Sequence, residues 1–110
     1  MRKKEIVRDG KTFNLILQSK QYWKCKYFVI YIMKNETLNS RFGIAVGKKI
    51  GNAVIRNRLK RVYRSLIDRN KLRFQKACDY IIIVRKESLG AKFEELNLNI
   101  QNFIDERAEK

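Results

Sequence analysis

Apolar positions recur along this chain with two different periods, and the changes of period divide it into elements. Phe13, Ile16 and Leu17 share one face of a helix, with Leu15 beside them. Asp9 or Thr12 can cap that helix, which runs to about Ser19 and places Lys20 near its negative end. The run Tyr27–Met33, YFVIYIM, has the β-branched and aromatic content of a strand. Both its faces are apolar, Phe28, Ile30 and Ile32 on one and Tyr27, Val29 and Tyr31 on the other, so neither is fully bathed in water. A turn-rich segment, Lys34–Ser40, leads to a second strand over Arg41–Lys48. There Phe42, Ile44 and Val46 alternate with Arg41, Gly43, Ala45 and Gly47, large residues on one side and mostly very small ones on the other. The pattern admits two readings of the small side: a helix packs closely on it, or the room beside the tyrosines lets a ligand lie on the sheet.

Gly51-Asn52 then starts a helix, with Asn52 as N-cap. Ile55, Leu59, Val62 and Leu66 form its apolar stripe, widened by Tyr63, and the helix is expected to end near Ile67. Residues 68–79, DRNKLRFQKACD, read as a charged connector anchored by Leu72, Phe74 and Ala77. Tyr80–Val84, YIIIV, reads as a buried strand from which Arg85 and Lys86 emerge. From about Lys92 a last helix carries Phe93, Leu96, Ile100, Phe103 and Ile104 at helical spacing, with Glu94 and Glu95 in its first turn and Arg107 near its end. The order is helix, two or three strands, basic helix, strand, helix. It predicts a single α/β two-layer domain over residues 1–110, in which residues 1–8 form a basic, flexible arm.

Charge changes this picture from a small domain to a binding domain. The net charge is +15 on 110 residues, and 26 Lys and Arg face 11 Asp and Glu. Lys48, Lys49, Arg56, Arg58, Lys60, Arg61 and Arg64 fall within seventeen residues, KKIGNAVIRNRLKRVYR, and no acid occurs from Thr37 to Ile67. On the helix, Arg56, Lys60 and Arg64 follow at i, i+4, i+8 along one flank of the apolar stripe, Arg58 and Arg61 lie on the other, and Asn57 sits between. Like charges repel, so such a cluster is not a stability device. Arginine's planar fork matches phosphate and stacks on bases, and the helix N-terminus beside Lys48 and Lys49 adds free N–H groups. A polyanion with closely spaced phosphates is the ligand these features predict. A membrane is disfavoured, because no apolar run approaches a span and the basic helix lacks the face of an interfacial anchor. MRKKEIV is followed by no long apolar stretch, so no signal peptide is expected and the location is expected to be cytoplasmic. Cys25 and Cys78 lack metal-ligand spacing and read as reduced thiols.

The same residues carry a family resemblance. KKIGNAVIRNRLKRVYR resembles the signature of the bacterial ribonuclease P protein subunit, with its Arg56-Asn57-Arg58 core, and weaker similarity extends over RFGIAVGKK before it and DYIIIVRK after it. The resemblance implies a four-stranded sheet in αβββαβα order with a left-handed crossover through the basic helix. It implies an accessory subunit of a ribonucleoprotein endoribonuclease, whose catalytic RNA uses Mg²⁺ to remove the 5′ leader of precursor tRNA, while the protein itself holds no cofactor or metal. The implied partners are the catalytic RNA and precursor tRNA, not DNA. Carried onto this chain, contacts to the catalytic RNA would come from Lys48, Lys49, Asn52, Arg56, Asn57, Arg58, Lys60, Arg61 and Arg64. A leader cleft would be lined by Phe13, Leu17, Tyr27, Val29, Tyr31 and Arg41. The family often has an aromatic residue where Leu17 stands.

The residues themselves argue against an independent active site. There is no His, no nucleophile constellation, and the basic region holds no acid to bind a metal. Asp68 and Asp79 read as a helix end and a strand start. A self-sufficient nuclease is therefore disfavoured, and a ribosomal-type protein or general RNA chaperone is the alternative to the subunit reading. The high charge yields a first prediction. Self-repulsion destabilises the free protein, so anions that bind only its folded form raise its melting temperature. A thermal melt that stays flat on adding sulfate or phosphate would contradict this.

Overall fold

The computed structural model describes residues 6–7, 10–19 and 21–108. Most of the expected N-terminal arm, the Asp9 cap and Lys20 lie outside the described residues. The elements follow the order α1 (Gly10–Gln18), β1 (Tyr22–Lys24), β2 (Phe28–Lys34), β3 (Arg41–Val46), α2 (Ala53–Asn70), β4 (Cys78–Val84) and α3 (Phe93–Ala108). Short 3₁₀ turns at Lys48–Ile50, Lys71–Arg73 and Lys86–Gly90 join them. The strands form one mixed sheet in the order β1-β2-β4-β3. β1 and β4 pair antiparallel with β2, and β3 pairs parallel with β4, so α2 is the crossover between two adjacent parallel strands.

Strand alternation assigns the two layers. Phe28, Ile30, Ile32, Phe42, Val46, Tyr80, Ile82 and Val84 point to one face, where they bury against Leu59, Tyr63, Leu66 and Ile67 of α2 and Leu96, Ile100, Phe103 and Ile104 of α3. On the opposite face a smaller cluster forms around Ile81, with Val7 and Ile16 buried against it and Phe13, Leu17, Tyr31, Met33 and Ile83 half-covered around them. The apolar character of both faces of YFVIYIM thus has a direct cause: each face meets helices, one face two and the other the short α1.

Several boundaries differ from expectation, each for a local reason. β3 stops at Val46 rather than reaching Lys48, because the backbone turns so that Ile50 N–H donates to Gly47 C=O at 3.1 Å. α2 continues past Ile67 to Asn70, whose buried amide donates to Leu66 C=O and to Asn97 of α3. Leu72 does not anchor the connector; it is 93% exposed. Phe74 does, as expected, meeting the rings of Phe42, Tyr80 and Phe103. β1 is a three-residue edge strand held by its pairing to Val29, Ile30 and Tyr31 and by Trp23, whose ring packs on Phe28 and Phe103 and whose indole N–H donates to Glu106.

At Gly43 the small side of β3 is closely packed. A methyl group built there would lie 2.8 Å from Ile81 Cδ1 on the neighbouring strand and 3.3 Å from Phe13 Cε2 of α1, so a side chain at this position would crowd both. Gly43→Val should therefore lower stability by about 1–3 kcal/mol through overpacking. Urea denaturation against wild type measures it, and an unchanged midpoint would show that α1 has slack there.

Candidate nucleic-acid interface

Two surfaces carry the residues singled out by the sequence. The first is the exposed side of α2. Asn52 takes an extended backbone conformation, and its side-chain oxygen accepts from Ile55 N–H at 3.0 Å, the N-cap expected of it. Gly51 lies so close to the first turn that a methyl there would meet Ile55 Cγ2 at 2.9 Å. With the chain pressed against the helix start, Arg56 Nε donates back to Gly51 C=O at 3.2 Å. Lys48, Lys49, Asn52, Asn57, Arg58, Arg61 and Arg64 are exposed, and Arg56 and Lys60 half-buried. Among the described residues none of these cations is ion-paired with a carboxylate, whereas Arg41, Arg69 and Arg73 are. An unneutralised lattice of this kind is what phosphate binding requires.

The second surface is the sheet face under α1. Strand register sets Tyr31, Ile81 and Gly43 side by side in its middle row, and Val29, Ile83 and Ala45 in the next row toward one end. Phe13 and Leu17 reach this face from α1. The structure therefore gathers Phe13, Leu17, Val29 and Tyr31 together.

It does not bring Tyr27 to them. Tyr27 precedes β2; its C=O accepts from Arg85 N–H and from the Ser88 hydroxyl, and its ring packs against the main core. Its phenol donates to Glu95 of α3 at 2.6 Å, and that carboxylate pushes the phenol pKa up by holding its proton.

Arg41 shares the face with Phe13 and Tyr31 but lies at its opposite end from Val29, in one row with Asp79 and Met33. Its guanidinium grips the buried Asp79 in two-pronged fashion, Nε to Oδ1 at 2.8 Å and Nη2 to Oδ2 at 2.6 Å, while Asn35 donates to the same carboxylate at 2.8 Å. Asp79 is thus a strand-start residue, as expected, and also the anchor of the 34–40 turn. Asp68, read as a helix end, lies two residues inside α2.

The two surfaces meet. A groove of about 130 Å³ at the outer edge of β3 is lined by Ile6, Val7, Phe13, Gly43, Lys60 and Arg64 among others, so two cations of α2 stand beside the first aromatic ring of the sheet face. At the far edge lies β1, a strand that the resemblance implied but the residue pattern did not place. Tyr22 pairs with Tyr31, ring centroids 5.5 Å apart, and Lys24 pairs with Val29. The alternation in QYWK, with Trp23 turned to the core between two exposed residues, was the available signal.

Other titratable groups are structural. Cys25 is half-buried and Cys78 buried, both as free thiols, and burial pushes the Cys25 thiol pKa up. Burial likewise raises the phenols of Tyr63 and Tyr80. Among the described residues no cluster of three or more His, Cys, Asp or Glu could hold a metal ion, and no helix is long and apolar enough to cross a membrane.

The ion pair at the sheet end gives a stability prediction. Arg41→Ala leaves a buried carboxylate with only the Asn35 amide. It should cost about 2–3 kcal/mol, less than a fully buried pair because that amide remains and Arg41 is partly solvated. Arg41→Ala/Asp79→Asn should recover part of the loss in the same denaturation measurement, and a double variant less stable than the single one would refute the assignment.

Comparison with known proteins is consistent across sequence and structure. The family model described as Ribonuclease P matches residues 1–107. The ribonuclease P protein component of Mesoplasma florum is 36% identical over 109 residues, covering 94% of this chain and 99% of the relative. That of Mycoplasma capricolum subsp. capricolum is 38% identical over 107 residues, covering 96% and 98%. Among solved structures, the RNase P protein of Thermotoga maritima superposes with a TM-score of 0.82 at 33% identity, covering 91% of this chain and 94% of the other. A Staphylococcus aureus RNase P protein mutant with defective mRNA degradation activity superposes with a TM-score of 0.86 at 26% identity, covering 96% and 90%.

Proposed function

This chain belongs to the ribonuclease P protein family, and on that premise we propose how its two surfaces divide the work of the ribonucleoprotein. The chain is the protein subunit of ribonuclease P, with ribonuclease P RNA as its partner. In the proposed arrangement α2 docks on that RNA through Lys48, Lys49, Asn52, Arg56, Asn57, Arg58, Lys60, Arg61 and Arg64, reading phosphate spacing and helix shape. The sheet face under α1 takes the single-stranded 5′ leader of precursor tRNA, with Phe13, Leu17, Val29 and Tyr31 as the apolar and aromatic contacts. Rings accept any base, which suits a leader of varying sequence. Arg41 serves this face from its end, with two of its donors held by Asp79, and Tyr27 is left out of the contact set because Glu95 holds it elsewhere.

The observation that carries this division is the groove at the β3 edge, where Lys60 and Arg64 adjoin Phe13. In this arrangement the leader on the sheet face lies beside the catalytic RNA held by α2. Cleavage itself is assigned to the RNA. The basic surface has no carboxylate, so its residues do not fit a divalent ion, and the Mg²⁺ requirement is placed with the RNA partner. A cytoplasmic site of action accompanies this reading.

Cleavage of precursor tRNA at low Mg²⁺ tests it, comparing ribonuclease P RNA alone, the protein alone and the two together. Correct 5′ ends should appear or increase only in the mixture. Arg56→Ala/Arg58→Ala should reduce this and flatten the salt dependence of RNA binding by roughly one to two phosphate contacts, while Tyr31→Ala should weaken leader binding by about 1–3 kcal/mol. Equal cleavage with and without protein would favour a general RNA-binding role, and cleavage by the protein alone would place an active site in this chain.

A further inference from the structure

We propose that β1 forms a distal subsite of the leader-binding face, in which Tyr22 stacks a base beyond the one at Tyr31 and Lys24 takes the adjoining phosphate. The inference rests on the reading that the leader lies on the face under α1. The sheet order β1-β2-β4-β3 places β1 at the edge farthest from the groove that adjoins α2. With strands spaced about 4.8 Å apart, a leader crossing from β3 reaches β1 after roughly 14 Å. On β1 Tyr22 is 53% exposed, and Lys24 is exposed beside it.

The geometry of the pair is that of a continued platform. Tyr22 lies directly opposite Tyr31 in the antiparallel register, its ring 5.5 Å from Tyr31's and tilted 40°. Tyr31 braces Tyr22 from one side, so ordering the half-exposed ring for stacking a base costs little entropy. Trp23, turned inward onto Phe28 and Phe103, fixes the alternation that sends Tyr22 and Lys24 to the same face. Lys24 stands two residues along, about 6.6 Å, opposite Val29, and among the described residues it has no carboxylate partner. A ring and a free cation side by side on an edge strand fit a single-stranded nucleotide better than a structured partner, which would need a broader cationic surface.

The test is equilibrium binding of precursor tRNA by the reconstituted protein–RNA complex, with the leader shortened nucleotide by nucleotide. Tyr22→Ala should weaken binding of long leaders roughly 5- to 100-fold and leave the shortest leaders unaffected. Tyr22→Phe should retain wild-type affinity, and Tyr22→Leu, which keeps apolar contact with Tyr31 but lacks a ring, should behave like Tyr22→Ala. Lys24→Gln should reduce the salt dependence for long leaders only. Tyr31→Ala run in parallel separates the two layers of the claim. Loss with Tyr31→Ala but none with Tyr22→Ala at any length would overturn the subsite and leave the leader face standing. Length-independent effects of both would overturn the leader face and the subsite with it.

Discussion

Burial of one stripe of α2 is the constraint on which the rest depends. Leu59, Tyr63, Leu66 and Ile67 are at most 4% exposed against the sheet and α3. Each such side chain contributes on the order of 1.5–3 kcal/mol by leaving water. Like-charge neighbours at i, i+4 on a helix, such as Arg56 with Lys60 and Lys60 with Arg64, cost only a few tenths each. The apolar term wins by a wide margin, and the helix can therefore present its cations without a compensating acid. Had the stripe been weaker, acids would be needed among those cations, and they would repel the same phosphates the surface attracts. The fold holds the charge in place, and the absence of local neutralisation makes the charge usable.

Position matters as much as charge, and buried polar contacts supply it. Tyr63 of α2 meets the Ser88 hydroxyl at 2.7 Å, and Ser88 donates its own proton to Tyr27 C=O at 2.9 Å, so Tyr63 is the donor between them. This chain of bonds runs from the basic helix through the turn after β4 to the start of β2. Asn70 and Asn97 tie the other end of α2 to α3. A buried donor left without its acceptor costs about 1–3 kcal/mol, so these contacts penalise any sliding of α2 over the sheet. The distance between the arginine lattice and the sheet face is thereby fixed.

Much of this was legible in the sequence because its signals are local. The stripe and flanks of α2, the Asn52 cap, the inward set Phe42, Ile44 and Val46, and the face shared by Phe13, Ile16 and Leu17 all follow from residues a few positions apart, and the long basic motif carried the family. What was not legible depends on partners far along the chain. Tyr27 has the parity of Val29 and Tyr31, but Glu95, sixty-eight residues later, holds its hydroxyl. Arg41 looks like a free cation until Asp79 is placed beside it by the parallel pairing of β3 and β4. β1 is three residues long, too short for any window to register a period, and exists because β2 offers it an edge. Leu72 is apolar at a position where helical phase from α2 has already been lost to a 3₁₀ turn, so pattern gave no hint that it faces water.

The two surfaces offer opposite kinds of contact, and the sheet explains why they can adjoin. Phosphate attraction is long-ranged and weakens with salt, so a cationic helix alone would bind many RNAs at many registers. Stacking is short-ranged and indifferent to salt, but it requires bases that are not already paired. In the proposed arrangement the two kinds of contact hold structured RNA and a single strand side by side, without reading a base. Gly43 is central to that combination. Its missing side chain lets α1 settle onto the sheet, which brings Phe13 to the β3 edge beside Lys60 and Arg64. The place where the cationic helix adjoins the sheet face is thus set by close packing at Gly43.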